Sequence, residues 1–111
     1  TKKFALRIIT LYSSLPKTTV TQVLGKQVLR SGTSVGANFR EAYRARSDAE
    51  FISIIGICLK ELEETAYWFE LLIESKIVES LKLSSLANEC DQLIAILTSI
   101  VKGKKRKVHN S

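Results

Sequence analysis

Residues 47–75 read SDAEFISIIGICLKELEETAYWFELLIES. The stretch opens on a capping box, with the Ser47 hydroxyl placed to accept from a first-turn N–H and Glu50 placed to reach back to the Ser47 N–H. Asp48 and Glu50 also suit the positive end of a helix dipole. Phe51, Ile55, Cys58, Leu62, Ala66, Phe69 and Ile73 then recur every three or four residues, which puts them on one face of an α-helix. At ~1.5 Å per residue that helix is about 40 Å long.

The preceding stretch, from about Thr21 to Arg46, has the same period. On a wheel of ~100° per residue, Leu24, Val28, Ser31, Val35, Asn38, Phe39 and Ala42 share a core face. Lys26, Arg30, Thr33, Ala37, Arg40 and Arg44 form a narrow stripe opposite. Gly25, Gly32 and Gly36 lie on a flank. Each costs about 1 kcal/mol of helix propensity relative to Ala, so their presence predicts close approach of a neighbouring helix. Nearer the start, Phe4, Ile8, Leu11 and Leu15 predict a helix from about Lys3 to Leu15, ended by Pro16. Beyond Ser75, a helix from about Ser80 to Lys102 carries Leu83, Leu86, Cys90, Leu93, Leu97 and Ile100 at alternating spacings of three and four, the seam of a bundle helix. Gly103 is placed to end it. All three connections are short, which forces sequential helices antiparallel. The expected fold is therefore all-α: an antiparallel, up-down-up-down four-helix bundle over residues 1–103, followed by a disordered basic tail over 104–111.

Composition agrees with few, long elements. The 111 residues include one proline and five glycines, and 45% of them are hydrophobic. No run approaches the ~18–20 apolar residues of a membrane span, and the N-terminus leads into amphipathic sequence rather than a signal peptide. A soluble, cytoplasmic protein with no membrane partner is expected. Cys58 and Cys90 fall inside apolar patterns and read as buried free thiols rather than a disulfide.

Charge is unevenly spread. The net charge of +6 divides into +8 over residues 1–46, −6 over 47–75 and +4 over 76–111. Such polarity either attracts a polyanion or lets oppositely charged faces meet across helices or subunits. Two basic features are candidate phosphate contacts: the stripe Lys26, Arg30, Arg40 and Arg44, and the tail Lys104, Lys105, Arg106 and Lys107. Both also suit plain solvation, and no aromatic platform for stacking bases stands out. Ile57, Trp68 and Leu71 fall roughly 100–160° from the core face of their helix. They predict an oligomer interface anchored by Trp68.

Catalysis finds little support. His109 is the single histidine and lies in the tail, which removes most general-base and metal schemes. Glu61, Glu63, Glu64, Glu70 and Glu74 lack the Glu-x-x-His partners of di-metal bundles. No catalytic residue, metal or cofactor is expected, and the chain reads as no enzyme.

The string QVLRSGTSVGANFREA, Gln27 to Ala42, resembles the second helix of the bacterial 23S rRNA intervening-sequence protein family, whose pattern is close to Q-L-x-R-S-x-x-S-I-x-x-N-I-x-E-G. Gln27, Leu29, Arg30, Ser31, Ser34, Val35, Asn38 and Glu41 fill it. Ala42 stands where glycine is usual, and Phe39 replaces a smaller residue. Phe51, Ile55, Lys60-Glu61, Glu64-Thr65 and Tyr67-Trp68 are similar to the third helix. The resemblance implies a homopentamer and marks Ser31, Ser34, Asn38 and Glu41 as structural motif positions. It also implies kinship with the accessory variability determinant of diversity-generating retroelements, a basic pentamer that binds a reverse transcriptase and nucleic acid. The expected function is a non-enzymatic, oligomeric binding and assembly protein that contacts RNA, DNA or a nucleic-acid-processing protein through its basic helix face. The alternative is a structural or protein–protein adaptor that binds no nucleic acid.

Overall fold

The computed structural model describes residues 1–110, and of Lys82 and Asn110 it describes only the backbone. Four helices follow in order: α1 Lys2–Ser14, α2 Thr19–Ala42, α3 Asp48–Glu74 and α4 Ser80–Asn110. No strand occurs among the described residues. The molecule is a rod of 53 × 21 × 20 Å.

Residue pairings show how the helices run. Along α1 and α2, Gly36 lies by Thr1, Gly32 by Ile8 and Gly25 by Leu15. Along α2 and α3, the Cys58 thiol faces the Val35 carbonyl, and Ser31 meets Thr65. Along α3 and α4, the Cys90 thiol faces the Leu62 carbonyl, and Lys104 reaches Asp48. In each pair, numbers rise on one helix as they fall on the next, so the three hairpins are antiparallel. Arg7 of α1 bonds Glu89 of α4 and closes the bundle.

The expected seams form the core. Phe4, Ile8, Val28, Val35, Ile55, Cys58, Leu62, Phe69, Leu72, Leu83, Leu86, Cys90 and Leu97 are buried together, with Phe51, Ala66, Ile73 and Leu93 packed around them. Thr65 and Leu72, rather than Ala66 and Ile73, sit at the centre of the α3 face. Thr65 is accommodated because its hydroxyl bonds the Glu61 carbonyl at 2.7 Å and meets the Ser31 hydroxyl at 2.8 Å. Most polar groups this deep are hydrogen-bonded.

The glycine flank of α2 seats α1. A methyl group at Gly32 would lie 3.0 Å from Ile8 Cγ1, and one at Gly25 would lie 2.8 Å from Leu15 Cδ1. Two small positions thus let α1 approach closely, which offsets their cost in helix propensity.

The ends differ from expectation in three places. The Ser47 hydroxyl caps α3 by accepting from Glu50 N at 3.0 Å, but Glu50 accepts from Arg46 N at 3.3 Å instead of the Ser47 N–H. α2 stops at Ala42, so Tyr43 to Arg46 belong to the α2–α3 turn. α4 runs through Gly103 to Asn110, where the sequence predicts a stop and a disordered tail. One glycine costs the helix only about 1 kcal/mol. Against that, the last turns carry bases suited to the negative end of the dipole. Lys104 is also held by Asp48 at 3.3 Å and lies 5.2 Å from the centre of the Phe51 ring. Ser111, the end of the predicted tail, lies outside the described residues.

Candidate nucleic-acid interface

The antiparallel order carries distant basic segments to one end of the rod. The C-terminal end of α2 and the turn after it bring Arg40, Arg44 and Arg46. The end of α4 brings Lys102, Lys104, Lys105, Arg106 and Lys107. Thr1 beside Gly36 sets Lys2 and Lys3 near the same part of α2. Only Glu41, Asp48 and Glu50 oppose them there. Lys104 marks the level of the α3 N-terminus, so residues 105–110 continue past the body of the bundle by about 9 Å at ~1.5 Å per residue. The result is a basic pole with a projecting helical arm.

The sequence-predicted residues divide accordingly. Arg40, Arg44, Lys105, Arg106 and Lys107 lie at the pole, are exposed, and carry no ion pair among the described residues. Lys104 lies there too but is engaged by Asp48. Lys26 is exposed at the other end of α2, one residue from Gly25, which packs on Leu15 and Tyr12. Arg30 sits at the waist, bonded to Glu64 and 3.4 Å from Glu61 of α3. The predicted stripe is therefore not one surface. A helical wheel ignores position along the axis, and it cannot see that Arg30 faces two carboxylates of the next helix. Arg44 has also left the helix, because α2 ends two residues earlier.

Sequence reasoning did not single out Arg46 or Tyr43. Tyr43 is 74% exposed between these arginines. The signal was available in Arg40-Glu41-Ala42-Tyr43-Arg44-Ala45-Arg46, an aromatic residue spaced among bases.

The three predicted interface residues share a stripe of α3 with Glu61 and Glu64, on the flank that meets α2. Ile57 is 47% exposed. Leu71 is half-buried. Trp68 is half-buried and packs against the core rather than standing clear of it. Its indole Nε1 is buried and has no hydrogen-bond partner among the described residues. The motif positions are mixed: Ser31 is buried, Ser34 and Asn38 are half-buried, and Glu41 is exposed.

The thiols are deeply placed. Burial, with a smaller push from Glu61, raises the Cys58 thiol to about 11. Burial, reinforced by Asp91, Glu63 and Glu89, raises Cys90 to about 12. Both stay protonated at neutral pH, whereas a nucleophilic cysteine needs its thiolate. Among the described residues, no group of three or more His, Cys, Asp and Glu is placed to hold a metal ion, and no helix is long and apolar enough to cross a membrane.

The chain is similar to known proteins over most of its length. The model of the 23S rRNA-intervening sequence protein family matches residues 1–99. A crystal structure of a protein of unknown function from the S23 ribosomal protein family of Bacteroides thetaiotaomicron is 45% identical, with a TM-score of 0.85 over 90% of this chain and 93% of that one. Among curated proteins, none matches. The four helices, the α2 motif from Gln27 to Ala42 and these two likenesses agree, and the chain belongs to the 23S rRNA-intervening sequence protein family.

Proposed function

We propose that this protein is a non-enzymatic binding and assembly module that takes RNA, alone or within a nucleoprotein, on its basic pole. The observation that carries the reading is the gathering of Arg40, Arg44 and Arg46 with Lys105, Arg106 and Lys107 at one end, with no carboxylate partner among the described residues. Bases gathered at the ends of two helices and in the turn between α2 and α3 suit a phosphate backbone, and release of condensed counterions supplies the affinity. The test is a titration of RNA binding against salt. Binding should weaken steeply, by at least tenfold between about 50 and 200 mM salt; absence of any RNA retention at the lowest salt would refute the proposal.

The same reading has the protein act as a homo-oligomer through the α2–α3 flank. Ile57 is exposed there beside the half-buried Trp68 and Leu71, an apolar group that a second subunit would cover. Light scattering should give a mass above the 12.4 kDa of one chain, and Trp68→Ala should lower it. A monomeric wild-type protein would remove the assembly half of the proposal. The adaptor reading, without RNA, keeps this interface and loses the salt-dependent binding.

A further inference from the structure

Charge alone does not account for Tyr43. It caps α2 in the midst of Arg40, Arg44 and Arg46, is 74% exposed, and meets the Phe39 ring edge-to-face at 5.2 Å and 88°. That contact holds the ring while leaving most of its surface in water. Tyr67, another exposed aromatic residue, stands instead among Glu63, Glu64 and Glu70. Beside Tyr43 opens a cleft of ≈ 450 Å³, walled by Arg46, Ser47, Phe51 and Lys104. Of its charged walls, Lys104 pairs with Asp48 at 3.3 Å and covers the Phe51 ring, whereas Arg46 has no ion pair among the described residues. The site thus divides between an exposed aromatic ring at Tyr43 and the guanidinium groups of Arg40, Arg44 and Arg46, which have no ion pair among the described residues. That division matches a nucleotide, whose flat base seeks an aromatic surface and whose phosphate seeks a guanidinium.

We infer that Tyr43 is a stacking platform for an unpaired base, and that the pole prefers single-stranded RNA to duplex. The inference rests on the reading of the pole as an RNA surface. Every base offers a π-face, so stacking of this kind is tolerant of sequence. In a duplex the bases are already stacked on one another and remain out of reach of a side chain at the rim.

Anisotropy with a labelled, unstructured RNA strand and with the duplex of the same sequence tests it on the whole chain. Wild type should bind the strand more tightly. Tyr43→Ala should weaken strand binding about 5- to 100-fold and leave the duplex unaffected. Tyr43→Leu, which keeps apolar bulk against Phe39, should lose as much, while Tyr43→Phe keeps the ring and the affinity. The salt slope should not change, because no charge is removed. If Tyr43→Ala and Tyr43→Leu bind both forms as wild type does, or weaken both alike, the stacking role is overturned. The RNA reading of the pole then still stands wherever Arg44→Glu weakens both. If wild type binds neither form at low salt, that reading and the stacking role fall together.

Discussion

Reversing Arg40, Arg44, Lys105 and Arg106 to glutamate is expected to lower RNA affinity roughly 100-fold or more at about 50 mM salt, and to flatten its dependence on salt. All four side chains are exposed at the pole and, among the described residues, have no carboxylate partner. Their removal costs the fold little, since surface substitutions away from packed features usually stay within about 0.5 kcal/mol. Every phosphate that is no longer neutralised takes about 0.7–0.9 from the slope of log affinity against log salt. Arg30 provides the contrast. It belongs to the same wheel face but is held by Glu61 and Glu64. Arg30→Ala should leave RNA affinity within about twofold, because other residues neutralise the phosphates. Its cost should appear in stability, at no more than about 1 kcal/mol for so exposed a pair. Binding isotherms and urea melts of the two variants separate these effects. An Arg30→Ala loss as large as that of the fourfold reversal would move the RNA surface from the pole to the waist.

The second large effect is on stability. Phe69→Ala should destabilise the protein by about 3–5 kcal/mol. Phe69 is 1% exposed and is among the largest side chains in the core. Truncation loses its transfer free energy and leaves a cavity that helices pinned on several sides cannot fill. Domains of this size are stable by only about 5–15 kcal/mol, so the variant should melt roughly 15–30 °C lower. Its urea midpoint should fall without a change of slope, which would mark lost stability rather than a changed denatured state. Ile57→Ala, at an exposed site on the same helix, should cost the monomer less than about 0.5 kcal/mol. A Phe69→Ala protein that melts as wild type does would mean that the core is not packed as described.

Much of the bundle was legible in the sequence, and its limits were specific. The α3 cap at Ser47, the seam through Leu83, Cys90 and Leu97, and the close approach at Gly25 and Gly32 all follow from local spacing and residue size. The stop read at Gly103 is absent, since α4 runs on to Asn110. A single glycine is a weak signal, and the groups that hold Lys104 come from Asp48 and Phe51 on another helix. Trp68 was placed on an outer face because a wheel gives direction only. Its half-buried position against the core depends on how closely α2 approaches that flank.

Side-chain periodicity by itself determined that there are four helices and which face of each turns inward, because every turn repeats the same 3.6-residue geometry whatever its neighbours. It also located each basic residue along the chain. Which bases stand together was decided only when the helices folded back on one another. The return of α4 beside the start of α3 set Lys105 to Lys107 at the end that also holds Arg40, Arg44 and Arg46, and it left Tyr43 in the open. Helix formation is a short-range property of backbone hydrogen bonds and apolar spacing. A charged surface is the sum of groups far apart in sequence, and it exists only once packing has fixed the distances between them.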